Sequence, residues 1–130
     1  MSDKTLAQLD QIRANYLALL ERIETITLLQ QQLKTAGLCN GSEYWRKEDG
    51  KPDRLYANHG EGQVCDIHGQ HKHGYRLRKY IGSNPGKIKE CMDMMERYRE
   101  WRRLENQKDE IQDKTSLLKN RINHISMYLL

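Results

Sequence analysis

Phenylalanine is absent from the chain, proline occurs only twice, and no apolar run approaches the roughly 20 residues that span a bilayer. A membrane-spanning helix is therefore not expected. The first residues, MSDKTLAQLDQIRANY, lack the apolar core of a signal peptide, which makes a cytoplasmic protein the expectation. Cysteine is scarce too: Cys39, Cys65 and Cys91 are odd in number and far apart, which argues against a disulfide framework. No Walker loop, G-x-S-x-G elbow or Cys–His nucleophile pattern is present, so catalysis is not expected. Apolar residues make up 37% of the chain and charged residues 31%, a balance that leaves either disorder or long helices with a narrow buried stripe.

The periodicity decides for helices. Thr5, Leu9, Ile12, Tyr16, Leu19, Ile23, Ile26, Gln30 and Leu33 alternate spacings of four and three, a heptad seam. Ser2 or Asp3 can cap the start and Gly37 can stop the helix, predicting a first helix over 3–37. A second seam runs through Ile88, Cys91, Met95, Tyr98, Trp101, Leu104, Lys108, Ile111, Thr115, Leu118, Ile122, Ile125 and Leu129. Ser83 or Asn84 as cap and Pro85 in the first turn predict a second helix over 85–129. The spacing slips at Tyr98-Trp101-Leu104, which overwinds a coiled coil and can mark a change of partner. Gln30 is polar on its seam and would fix register at a cost in stability.

Residues 40–84 break this pattern with repeated glycines. EYWRK, RLYAN, QVCDI and YRLRKYI have strand character and read as two hairpins in a three- or four-stranded antiparallel sheet. The expected fold is thus mainly α with a small β insert in a single domain over 1–130. A long antiparallel helical hairpin, a coiled coil, carries the sheet and self-associates as a homodimer.

Two clusters in the insert carry chemistry. Cys65 and His68 form a C-x2-H pair on a tight turn, His71 and His73 follow, His59 precedes, and Cys39 could add a second thiolate. Such donors suit a structural zinc, the one cofactor the sequence allows for, although no second close pair of the C-x2-C kind occurs. The second cluster is basic. Residues 72–103 hold ten Lys and Arg against four Asp and Glu, whereas the remainder of the chain is nearly balanced. Arg76, Arg78 and Tyr80 share one strand face, Lys79 flanks them, and Lys87 and Lys89 open the second helix, where the amides of the first turn could also favour phosphate. Arg99, Arg102 and Arg103 form an outward arc farther along. The footprint is that of nucleic-acid binding, to DNA rather than RNA. Tyr75, Tyr80 and Trp45 could stack on bases, with packing of the sheet the commoner role. Two other readings of the basic strip remain: a solvated face balanced by Glu90, Glu96 and Glu100, or a patch that docks on a protein.

The run GYRLRKYIGSNPGKIKECMDMMERYREWRRL, about residues 73–104, resembles small uncharacterised proteins of bacterial and archaeal mobile elements. In these a basic strand ends in Tyr-Ile/Val-Gly, a proline opens a helix, and a Tyr- and Arg-rich coiled coil follows. The Cys-Gly-Lys-Pro-type cysteine cluster of such proteins is missing here. The resemblance implies phage, plasmid or transposon biology. YIGS at 80–83 is similar to half of the GIY-YIG nuclease signature, but no GIY strand precedes it at the right spacing. The expected function is a non-catalytic nucleic-acid-binding accessory or regulatory protein. The alternative is a protein-interaction module, such as a phage-encoded inhibitor of a host defence complex.

Overall fold

The computed structural model describes residues 2–59, 65–66 and 78–129, the side chains of 126–129 excepted. It is mainly helical: α1 (Asp3–Ala36), β1 (Gly41–Arg46), β2 (Arg54–His59), β3 (Arg78–Gly82) and α2 (Pro85–Leu129). Among the described residues no helix is long and apolar enough to cross a membrane.

Both helices begin and end on local chemistry. Ser2 caps α1, its carbonyl and hydroxyl both accepting from the Thr5 amide. Gly37, with φ at +111°, ends it by donating its amide to the carbonyls of Leu33 and Lys34. Asn84 caps α2: its Oδ1 accepts from the amides of Gly86 at 2.9 Å and Lys87 at 3.2 Å. Those two amides are therefore spent on the cap.

The chain divides into two units. The first comprises Met1–Gln30 and Leu104–Leu130. Here the least exposed positions are those of the seams. Leu9, Ile26, Leu104, Ile111 and Thr115 are buried, and Ile12, Tyr16, Leu19, Ile23, Lys108, Leu118, Ile122 and Ile125 are half-buried. Thr5 departs from the pattern and is exposed. Gln30 is buried and bonded on both sides of its amide: Nε2 donates to Glu105 Oε2 at 2.6 Å, and Oε1 accepts from Lys108 Nζ at 3.0 Å.

The second unit, Gln31–Arg103, contains the sheet. Its strands are antiparallel in the order β1-β2-β3. β3 therefore pairs with β2, through Tyr56 opposite Tyr80 and Asn58 opposite Arg78. Of the hairpin expected between QVCDI and YRLRKYI, Cys65, in a bridge, Asp66, in a turn, and residues 78–81, in β3, are described, and the rest lies outside the described residues. The register steps between Leu55 and Tyr56, with Leu55 opposite Gly82, so that Ile81 is the extra residue of a bulge.

Strand alternation sorts the sheet into two faces. Leu55, Ala57 and His59 of β2 are buried. Leu55 and Ala57 belong to a core with Cys39, Cys65, Cys91, Met94 and Met95, against which Trp45, Ile81, Ile88 and Met92 pack. Each fully buried Leu or Met in such a core contributes about 1.5–3 kcal/mol over an exposed one. The buried His59 ring has a hydrogen-bond partner, its Nδ1 being 2.6 Å from the Asn40 carbonyl oxygen. Arg97 then ties α2 to the end of α1, its Nε donating to the Gly37 carbonyl at 2.7 Å and its Nη2 to the Ala36 carbonyl at 3.1 Å.

Candidate nucleic-acid interface

The sheet face opposite the core carries three tyrosines in cross-strand register. Tyr44 of β1 lies opposite Tyr56 of β2, which lies opposite Tyr80 of β3. Their rings form a continuous ladder: 6.1 Å between the centroids of Tyr44 and Tyr56 at an interplanar angle of 68°, and 5.2 Å between Tyr56 and Tyr80 at 58°. Such edge-to-face and tilted contacts are the favoured geometries of aromatic pairs. The ladder faces outward, with Tyr44 41% and Tyr80 56% exposed. Sequence reasoning singled out Tyr80 and missed Tyr44 and Tyr56. The signal was available only once the register was known, because each tyrosine lies on a different strand.

Arg78 joins the ladder. Its guanidinium carbon is 4.1 Å from the centroid of the Tyr44 ring, and its Nε donates to Asn58 Oδ1 at 2.9 Å. The cation thus lies over an aromatic ring, where an arginine keeps further donors for a phosphate or a base edge. Tyr80 is expected from sequence to pack the sheet or stack on a base, and here it lies on the open face. Trp45 lies on the other side, packed against the core, with its indole N–H donating to Glu43 at 2.9 Å.

Lys79 and Lys87 line one concave surface of about 370 Å³, together with Asp66, Tyr80, Ile81 and Glu90. Three other basic residues of the strip are engaged within α2. Lys89 pairs with Asp93 at 2.9 Å, Arg99 with Glu96 at 2.9 Å, and Arg103 with Glu100 at 2.5 Å. These pairs hold the carboxylates of Asp93 and Glu100 below their ordinary range, through the hydrogen bond from the cation in each case. Exposed pairs of this kind are worth little to stability, but they neutralise the helical arc on which Arg99, Arg102 and Arg103 lie. Arg102 is exposed on that arc. Arg78 over the Tyr44 ring, and Lys79 and Lys87 in one concave surface with Tyr80, are the cations of the strip that adjoin the tyrosines. Arg76 lies outside the described residues.

Of the residues expected to bind metal, Cys65 is described, and His68, His71 and His73 lie outside the described residues. Among the described residues no group of three or more His, Cys, Asp or Glu side chains is arranged to hold a metal ion. Cys39, Cys65 and Cys91 are all buried in the core of the second unit, and none is in a disulfide. The thiol of Cys39 is pushed far above its ordinary range by its hydrogen bond with Cys65 and by burial, and that of Cys91 is raised by burial.

Comparison with family models, curated proteins and solved structures gives no match to this chain.

Proposed function

We propose that this is a non-catalytic nucleic-acid-binding protein that contacts its ligand through the open face of the sheet. The single observation that carries the reading is the exposed Tyr44–Tyr56–Tyr80 ladder with Arg78 stacked on it. A row of outward aromatics in cross-strand register is a sequence-tolerant platform for unstacked bases, and flanking cations track the phosphates. Such a platform favours single-stranded DNA over duplex, whose bases are already stacked. Arg78, Lys79 and Lys87 take the phosphates. Arg76, Lys89, Arg99, Arg102 and Arg103 belong to the wider basic strip, and the pairing of Lys89, Arg99 and Arg103 within α2 gives them the smaller share.

In the same reading the two helices run antiparallel as a coiled-coil hairpin, and two chains associate. Support for the antiparallel sense comes from the first unit, where Gln30 meets Glu105 and Lys108 while Asn15, Ala18 and Leu19 share a groove with Lys114, Leu118 and Arg121. Support for association is given by Leu17, Leu28 and Leu117, each more than half exposed and off the seam. A dimer would present two tyrosine faces to one strand. The resemblance of residues 73–104 to mobile-element proteins suggests recombination or transcriptional control as the setting.

The same exposed leucines favour a second reading, a module that occludes a host protein complex. A salt series separates the two. Binding of labelled single-stranded DNA, duplex DNA and RNA is measured by anisotropy from low to moderate salt. Nucleic-acid binding predicts an affinity that falls steeply with salt and is highest for single strands. Tyr80→Ala is expected to cost about 1–3 kcal/mol of that affinity, the range for one base–aromatic stack. Absence of binding to all three at low salt removes the proposal and favours the protein partner.

A further inference from the structure

Beside the tyrosine ladder the second unit has a cavity of about 370 Å³. That volume lies in the range of small-molecule sites, about 300–1,000 Å³. Tyr80 belongs to both features, since its ring ends the ladder and also lines the cavity. A strand laid along the three tyrosines therefore brings one further base to the mouth of the cavity.

The lining has an apolar part and a charged part. Cys91 and Met94 are buried, so a flat ring finds apolar contact there. The charged part consists of two carboxylates, Asp66 and Glu90, and two ammonium groups, Lys79 and Lys87. Local hydrogen bonds hold this wall. Asp66 Oδ2 accepts from the Leu38 amide at 2.7 Å, and the Asp66 amide donates to the Leu38 carbonyl at 2.9 Å. The Lys87 amide donates to the Asn84 cap at 3.2 Å, which fixes the first turn of α2. Glu90 follows three positions later, so Lys87 and Glu90 are neighbours on one helix face. Among the described residues these two are not paired with each other, whereas Lys89 is paired with Asp93 at 2.9 Å. Both are exposed, and a ligand can reach them.

A carboxylate beside an ammonium group complements the edge of one nucleobase. Guanine alone presents two adjacent N–H donors, N1–H and the N2 amine, next to the acceptor O6. A carboxylate accepts both through its two oxygens, and an ammonium donates to O6 or N7. Adenine and cytosine each carry an amine, but the ring nitrogen beside it is an acceptor that a carboxylate repels. Thymine has a single N–H between two carbonyls and is repelled on either side. We propose, on the strength of the tyrosine platform argued above, that the cavity lined by β3 and the first turns of α2 is a guanine-selective subsite for one base of the bound strand. Glu90 accepts N1–H and the N2 amine. Lys79 and Lys87 divide O6 and the adjoining phosphate between them, and Asp66, held by Leu38, closes the wall.

The test is the anisotropy of a short labelled oligothymidylate, with and without one central guanine, at a single low salt concentration. One guanine among thymines cannot build four-stranded guanine structures. Affinity should be about fivefold higher with guanine, the lower end for one bidentate base contact, and a central adenine or cytosine should give less. Glu90→Gln lies at an exposed helical position, so the helical circular dichroism should be retained. The ratio of the two affinities is the quantity read, because loss of a negative charge strengthens binding of any strand. In this variant the ratio should fall close to one. Equal affinities of the unaltered protein for the two oligonucleotides, both being bound, overturn the guanine subsite and leave the tyrosine platform standing. A guanine preference that survives Glu90→Gln overturns it too. Binding of neither oligonucleotide removes the platform itself, and the subsite with it.

Discussion

At Arg78 the positive charge is already oriented, with the guanidinium on the Tyr44 ring and Nε on Asn58. Its contribution to binding has two separable parts. The charge releases counterions, and the flat fork presents donors in a fixed direction. Arg78→Ala removes both, so the affinity for single-stranded DNA should fall and the slope of log K against log salt should become shallower by about 1. Arg78→Lys keeps the charge, so the slope should be preserved while affinity still drops. Equal affinities for the lysine variant and the parent would mean that the stack on Tyr44 has no role. Arg78 and Tyr80 were both legible in the sequence, because strand alternation puts residues two apart on one face. Tyr44 and Tyr56 were not, since their neighbours in space lie 12 to 34 positions away in the chain, a relation that exists only after the strands pair. That Cys39 and Cys65, both candidate thiolates in the sequence, lie within 3.6 Å of each other was hidden for the same reason.

Elements read from local pattern fared better. Both seams follow from a four-three repeat, and burial follows those positions from Leu9 to Leu33 and from Ile88 to Ile125. The helix ends were equally legible, because caps are short-range chemistry: Ser2, Gly37, Asn84 and Pro85 all sit where their side chains or backbone freedom require. The pairing of β1 with β2 was legible from the loose loop between them, whereas that of β3 with β2 was not, because composition does not choose partners. Three predictions belong at this scale. Arg97 supplies two hydrogen bonds to the last carbonyls of α1 and the stop after it. Arg97→Ala should therefore lower stability by about 1–3 kcal/mol in urea unfolding. A loss within error would mean that water replaces the arginine. Gln30→Leu removes the buried amide that Glu105 and Lys108 hold. Stability should rise by about 1 kcal/mol, with a broader distribution of assembled species in ultracentrifugation, since a buried polar residue on a seam trades stability for register. A fall in stability would show that the triad is a net stabiliser.

The β1–β2 turn gives a pH prediction. Glu48 gathers Lys51 at 3.2 Å, Arg54 at 2.8 Å and Arg46 at 3.2 Å. Hydrogen bonds from Lys51 and Arg54 hold its carboxyl below the ordinary glutamate range. A pKa depressed in the folded state means that folding favours the ionised form. The stabilisation is present above the unfolded value of about 4.3 and disappears as pH falls through the lower folded value. Amide protection factors in β1 and β2, taken against intrinsic exchange at the same pH, should therefore fall below about pH 4. Glu48→Gln should remove that acid dependence and leave exchange at pH 7 only slightly faster, as expected for an exposed cluster.

For the molecule as a whole, the charge and the unused apolar surface lie in different units. The basic residues nearest the tyrosine ladder, Arg78, Lys79 and Lys87, belong to the second unit. Leu17, Leu28 and Leu117, exposed by 59%, 61% and 70%, belong to the first. Leu17 and Leu28 are eleven positions apart on α1, about three helical turns, so they fall on one stripe outside the seam. Scattered leucines on a surface are ordinary, but a stripe of them beside a filled seam is what a further helix would cover. In the proposed dimer that helix comes from a second chain. Sedimentation equilibrium should then give about twice the chain mass of 15.4 kDa at micromolar concentration. Leu17→Lys with Leu28→Lys should return the monomer mass without loss of helical signal, because neither position is on a seam. The same double variant separates the two ideas about function. If two tyrosine faces hold one strand, monomerisation should cost single-stranded DNA affinity beyond the loss of one contact, through the high effective concentration of the second face. If affinity per chain is unchanged while the mass halves, each sheet acts alone, and the leucine stripe serves association rather than recognition.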